Sequence, residues 1–183
     1  AGAQEALKHC IQGLVSETPF NIITFGSEHR KLFDEIVPCT DENRKAALTF
    51  VEKIDADMGG TEIFAPLVAA YAMMGKAFCN IFLLTDGEVY NIDEVTGLAG
   101  KHRNRARIFS FGIGYGPSHA LIEGVATASG GGAVFISPDE SIEEKVTRQF
   151  ARFGTPRVTD IAVDWGGLTV ADIPLPYPPV FSG

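Results

Sequence analysis

Cysteine is scarce here: Cys10, Cys39 and Cys79 are the only three in 183 residues, and no two of them form a CxxC pair. An odd, scattered set argues against a disulfide framework and for reduced thiols in a cytoplasmic or other intracellular setting. Basic charge is also short, with 15 Lys and Arg against 23 Asp and Glu and a net charge of −8. Phosphate backbones require a basic face, so no nucleic-acid partner is expected. No apolar run approaches the roughly 20 residues that span a bilayer, and no basic stretch precedes an apolar one as in a signal peptide. A membrane partner is therefore not expected either. The four histidines, His9, His29, His102 and His119, show no H-x₃-H or HExxH spacing, which speaks against zinc. Gly112-Ile113-Gly114-Tyr115-Gly116 lacks the Lys-Ser/Thr of a phosphate loop, and turns explain its glycines better. There is no initiator Met, and the chain stops at Ser182-Gly183 after a proline-rich approach, so both ends read as cut from something longer.

What is present is an ordinary globular composition, 45% hydrophobic and 21% charged, long enough for one α/β domain of about 150–180 residues with a short appendage. The organising stretch is Asn80-Ile81-Phe82-Leu83-Leu84-Thr85-Asp86-Gly87-Glu88-Val89. Its apolar run predicts a central strand buried on both faces, of the kind found in parallel sheets covered by helices. It ends in a polar turn with one carboxylate, Asp86, at the strand's carboxyl end, the edge where ligands bind in open α/β sheets. Taken alone, Asp-Gly is simply a good turn.

Apolar spacing predicts helices over 3–15, from Thr40 to about 54, over 64–74, 92–103 and 118–128 with Ser118 as N-cap, and over 141–152. Strands are expected at 20–25, at the charged and edge-like 30–37, and at 80–84, 107–114 and 133–136. Strands alternating with helices at this spacing imply right-handed crossovers and a doubly wound, mostly parallel sheet with helices on both faces. Cys79 is expected in the core at the mouth of the central strand. Residues 1–154 form this unit. From 155 to 183 the rhythm changes: Thr159, Ile161, Val163 and Trp165 alternate with polar neighbours, and Pro174, Pro176, Pro178 and Pro179 follow. Such a tail predicts a linker or the opening of a β-rich segment.

With these elements placed, the chain resembles a von Willebrand factor A (VWA) domain, most closely the intracellular subgroup of the VWA domain-containing type 5 proteins and the vault poly(ADP-ribose) polymerase. The resemblance runs from Ala3 to about Arg152. It is carried by Ala56-Asp57-Met58-Gly59-Gly60-Thr61-Glu62-Ile63, by Thr85-Asp86-Gly87-Glu88-Val89, by Phe109-Ser110-Phe111-Gly112-Ile113-Gly114 and by Ala126-Thr127-Ala128-Ser129-Gly130-Gly131, in order and at family spacing. It implies a Rossmann-like fold and a metal-ion-dependent adhesion site (MIDAS) at the carboxyl edge of the sheet. There Thr61 and Asp86 match the family's threonine and aspartate ligands, with Gly60, Glu62, Gly87 and Glu88 beside the partner. The implied cofactor is Mg²⁺, with Mn²⁺ or Ca²⁺ as alternatives, and the implied partner is a protein presenting Asp or Glu. Hard oxygen donors suit Mg²⁺, and a neutral hydroxyl leaves positive charge for the partner's acid to neutralise. Thr61 is equally placed to N-cap the helix that follows.

The chain departs from the family in lacking the first strand and its Asp-x-Ser-x-Ser loop, which belongs in the middle of the sheet between the strands at 20 and 80. Either the sequence is a fragment or the strand is supplied in trans. With Thr61 and Asp86 alone, metal binding is expected to be weak or absent. Three functions follow in order: a cation-dependent protein-interaction module, a metal-independent scaffold packed against neighbouring domains of a larger protein, and last a nucleotide- or phosphate-using enzyme. The last lacks a phosphate loop, a nucleophile and a positioned base, so no catalytic residue is assigned.

Overall fold

A computed structural model describes residues 2–54, 60–151, 157–158 and 180–181. Helix α1 (Gly2–Gly13) comes first, followed by the short strands β1 (Pro19–Phe20), β2 (Ile23–Phe25), β3 (His29–Lys31) and β4 (Val37–Pro38). Then come α2 (Asp41–Glu52), α3 (Phe64–Met73), β5 (Cys79–Thr85), α4 (Ile92–Lys101), β6 (Ala106–Ile113), α5 (His119–Ser129), β7 (Gly132–Ile136) and α6 (Ile142–Ala151). The pair β8 (Arg157–Val158) and β9 (Val180–Phe181) closes the set. Strands β5, β6 and β7 form a parallel sheet in that order, in register from Cys79↔Ala106 to Thr85↔Gly112 and from Phe109↔Gly132 to Ile113↔Ile136. The pairs β1–β4, β2–β3 and β8–β9 are antiparallel.

The alternation of side chains along β5 and β6 sorts them to two helical layers. Ile81, Leu83, Ala106 and Ile108 pack with Leu67 and Tyr71 of α3, Val95 and Ala99 of α4, and Leu121 and Val125 of α5. Phe82, Leu84, Phe109, Phe111 and Ile113 face the other way, against Ala6 and Cys10 of α1 and Val146 and Phe150 of α6. Helices cover both faces, and the fold is the α/β, Rossmann-like class that the sequence predicts. The α5–β7 connection needs glycine twice. Gly130 turns the chain at φ 72°, and a Cβ on Gly131 would run into the Ile108 carbonyl.

Helices α1 and α2 cap each other. Arg44 of α2 donates to the carbonyls of Ile11 and, at 2.8 Å, Leu14 at the end of α1, while Gln4 of α1 donates to Ile54 at 2.6 Å beyond the end of α2. Each supplies donors to carbonyls that a helix end leaves unpaired. Among the described residues no helix is long and apolar enough to cross a membrane.

Four expectations need correction. The strand at 80–84 is not buried on both faces: only Leu83 and Thr85 of β5 are buried, and β6 holds the middle of the three-stranded sheet with all eight residues buried. Cys79 is only half-buried and packs against the core from its edge. The segment 20–25 is two strands, because Asn21 spends its side chain on Ile22 N–H, Phe33 N–H and the carbonyls of Phe33 and Glu35 in place of a ladder. The segment 30–37 is strand only at His29–Lys31 and, separately, at Val37–Pro38. The alternating tail from Thr159 to Trp165 lies outside the described residues.

Candidate functional site

Three turns meet at the carboxyl ends of β2 and β5. The first follows β2, where Gly26 and Ser27 turn the chain into β3. The second, ahead of α3, carries Gly60, Thr61 and Glu62. The third, Thr85-Asp86-Gly87, leaves β5. Backbone bonds tie the first to the second, since the Glu62 N–H donates to the Gly26 carbonyl at 3.0 Å. A Cβ on Gly60 would lie 4.0 Å from Ser27 Oγ. Steric contact ties the second to the third, since a Cβ on Gly87 would sit 2.5 Å from Thr61 Oγ1. Real Cβ atoms do not approach an oxygen that closely, so the Thr61 hydroxyl occupies the space a side chain at 87 would need. Gly87 N–H is itself held by Thr85 Oγ1 at 3.3 Å.

The structure thus brings Thr61 against the turn that carries Asp86. Thr61 and Gly87 are half-buried, while Gly60, Glu62, Asp86 and Glu88 are exposed. Thr61 is not the N-cap of α3: that position belongs to Ile63, whose side chain makes no capping bond. Glu62 does the capping instead, its Oε1 accepting the Phe64 N–H at 2.8 Å, which places a carboxylate at the positive end of the helix. The Thr61 hydroxyl is left for the turn it touches. Glu62, which the resemblance places beside the partner, thus has a structural task as well.

The donors at this edge, one hydroxyl and one carboxylate, are hard oxygens of the type Mg²⁺ takes. Two donors are fewer than its six positions, and no group of three His, Cys, Asp or Glu suited to a metal occurs among the described residues. An ion resting on Thr61 and Asp86 would draw its other ligands from water and from groups beyond these two.

Some residues at this edge carry no signal in the sequence. Ser27 reads from sequence only as part of the turn that ends the strand at 20–25, and its approach to Gly60 follows from the folded path. Gly116 reads as one more turn glycine, but a Cβ there would lie 3.5 Å from the Asp86 carbonyl oxygen, so the β6–α5 loop lies against the Asp86 backbone. The thiols do not add a nucleophile. Burial pushes Cys10 up to about 12, and burial also raises Cys79, partly offset by the nearby Arg105 charge; both stay protonated at neutral pH.

Comparison with known proteins agrees with the fold. A family model described as the von Willebrand factor type A domain matches residues 2–135. A von Willebrand factor A domain-containing protein of Dictyostelium discoideum is 40% identical over 168 residues, covering 91% of this chain and 8% of the relative. Human von Willebrand factor A domain-containing protein 5A is 38% identical over 166 residues, covering 89% of this chain and 21% of the relative. The chain therefore spans a small part of the length of these relatives. Among solved structures, a von Willebrand factor type A protein from Catenulispora acidiphila superposes with a TM-score of 0.72 at 20% identity, covering 85% of this chain and 38% of that one. The family match extends over most of the chain and the relatives agree in sequence across nine-tenths of it; the chain belongs to the von Willebrand factor type A domain family.

Proposed function

We propose that this chain is a protein-interaction module that holds a divalent cation, Mg²⁺ first, on Thr61 and Asp86 and uses it to grip an Asp or Glu of a partner protein. VWA domains are a family of protein–protein interaction modules; the cation and the acidic partner are the added steps. The observation that supports them is the contact between the Thr61 hydroxyl and the space above Gly87, which aligns a neutral donor with the turn of Asp86. The cation, when bound, supplies a Lewis-acidic centre for a partner's carboxylate. Thr61 contributes a neutral oxygen, Asp86 one negative charge, and the bound ion keeps net positive charge for the partner. Gly60 and Gly87 keep the approach open, and Glu62 and Glu88 border it. An intracellular setting fits the reduced, unpaired cysteines.

In the intact protein, Asp86→Ala is expected to abolish Mg²⁺-dependent partner binding and leave the thermal midpoint unchanged within a few degrees. Partner binding that survives both Asp86→Ala and chelation with EDTA would refute the site. A second reading, a metal-independent scaffold packing against neighbouring domains, draws on the lack of a three-acid cluster among the described residues. Calorimetric titration of Mg²⁺ into the intact protein separates the two: saturable heat supports the first, and its absence at millimolar Mg²⁺ supports the second.

A further inference from the structure

The two most exposed large hydrophobic side chains among the described residues are both tyrosines, on the loops that leave the carboxyl ends of β5 and β6. Tyr90 is 106% exposed and Tyr115 is 92% exposed; the next, Val15, is 75% exposed and belongs to the α1–β1 turn at the other end of the chain's path. Tyr90 follows Asp86 by four positions on the β5–α4 loop, and Tyr115 sits on the β6–α5 loop. The register Thr85↔Gly112 brings the ends of β5 and β6 level. Gly116, next to Tyr115, lies against the Asp86 carbonyl.

Neither ring is loosely held at its backbone. Val89, just before Tyr90, is 7% exposed and packs in the core, and α4 begins two residues later. Before Tyr115, Gly114 turns the chain at φ 85° and its N–H donates to Ile136 at 2.9 Å; beyond it, Ser118 caps α5 through Leu121 N–H. Single exposed apolar groups are common and need no explanation. Two fully exposed tyrosines on fixed loops at one edge are different, because a rigid aromatic gives a partner contact area at little entropic cost.

We propose that Tyr90 and Tyr115 are aromatic anchors on the partner surface, and that the partner segment they receive carries an arginine or lysine beside the acidic residue that reaches the cation. This rests on the cation reading given above. The choice of a basic neighbour follows from charge. Glu62 adjoins Thr61 and Glu88 follows Asp86 by two positions, both are exposed, and the whole chain carries −8, so a segment bearing only acids would meet repulsion once the ion is satisfied. A guanidinium or ammonium beside that acid answers the glutamates and stacks on a tyrosine face.

The test is an array of synthetic peptides, each with one central Asp flanked by Arg, Lys, Ala, Leu or Glu, probed with the intact protein in Mg²⁺. Arg- and Lys-flanked peptides are expected to bind most tightly and Glu-flanked ones least. Tyr90→Leu and Tyr115→Leu keep apolar area but remove the ring's electron-rich face, and each is expected to weaken the Arg-flanked peptides about fivefold while leaving the requirement for Asp in place. Unchanged binding by both leucine variants, a preference for Leu flanks, or an array that binds nothing overturns the proposal. Tyrosine-independent binding that still requires Asp86 and Mg²⁺ overturns this inference alone. Tyrosine-dependent binding that ignores Asp86→Ala and EDTA overturns the cation reading, and with it the acid-anchored form of this proposal.

Discussion

Strands β5 and β6 lie side by side, and the more apolar of the two is the less buried. β5 holds two uncharged polar side chains, Asn80 and Thr85, whereas β6 includes the charged Arg107 as well as Ser110; yet every residue of β6 is buried, against two of seven in β5. The cause is neighbours. Among the described residues β6 pairs on both sides and β5 on one. The polar residues of β6 survive burial because they are engaged: Ser110 donates to the Ile122 carbonyl at 2.6 Å, and Arg107 donates to Asn80 Oδ1 at 3.1 Å and lies 5.8 Å over the Phe109 ring. Hydrophobic content shows that a strand is interior; the count of paired edges sets how interior.

The largest effect that separates the two strands comes from cutting one ring out of each. Phe109→Ala empties a site with no exposure, and the expected loss is about 3–5 kcal/mol. Phe82 stacks on Phe109, Phe111 and Phe150 with centroids 5.0–5.7 Å apart but is only half-buried, so Phe82→Ala is expected to lose roughly half as much. Urea unfolding measures both, and equal losses would break the contrast.

Hydrogen exchange sharpens it next. Cys79 N–H donates toward β6, to the Arg105 carbonyl. Alternation then aims the amides of Ile81, Leu83 and Thr85 the same way and those of Asn80, Phe82 and Leu84 away from β6. Amides of the second set are expected to exchange about a hundredfold faster than those of the first, while all of β6 is protected. Protection of Phe82 would mean that another segment pairs with β5.

Much of this was legible beforehand, and what was not has identifiable causes. The alternation of helices and strands and the Ser118 cap, which accepts from Leu121 N–H, follow from local rules and appear as expected; the Thr40 cap, accepting from Asn43 N–H, and the left-handed Gly130 obey the same rules. The break at Asn21 was hidden because one side chain replaced several backbone bonds. The burial ranking of β5 and β6 was hidden because it depends on which strands adjoin. At the site, the residue types at 61 and 86 could be read from sequence, but not that Gly87 leaves room for Thr61, since a missing side chain gives no pattern to read.

The strand ends carry the contrast into function. A Cβ on Gly114 after β6 meets nothing within 4 Å, but its φ of 85° is strained for any side chain, so Gly114→Ala is expected to lose about 1–2 kcal/mol without touching Thr61. Gly87→Ala after β5 meets a movable hydroxyl, so the expected stability loss is about 1 kcal/mol or less. It should nevertheless remove the Mg²⁺ heat in calorimetry, which Gly114→Ala should leave in place. The reverse pattern would detach the cation from Thr61.

The smallest effect concerns two thiols, Cys10 packed beneath β6 and Cys79 at the entrance of β5. Desolvation holds Cys10 protonated up to about 12, from a usual value near 9. Between those limits the folded chain binds more protons than the unfolded one, so stability must fall as pH rises: the contribution is full below pH 9 and is lost on the way to 12. At pH 10 the loss is roughly 1 kcal/mol. Tyr71, pushed up to about 12 by burial, acts in the same direction from its usual value near 10. Cys79 is raised by burial as well, but the Arg105 charge offsets part of this, so its share is smaller. Denaturation midpoints between pH 8 and pH 10.5 should therefore decline, and Cys10→Ala should flatten the slope more than Cys79→Ala does. An equal flattening by both variants would mean that the entrance of β5 is as dry as the core beneath β6, against the burial that separates them.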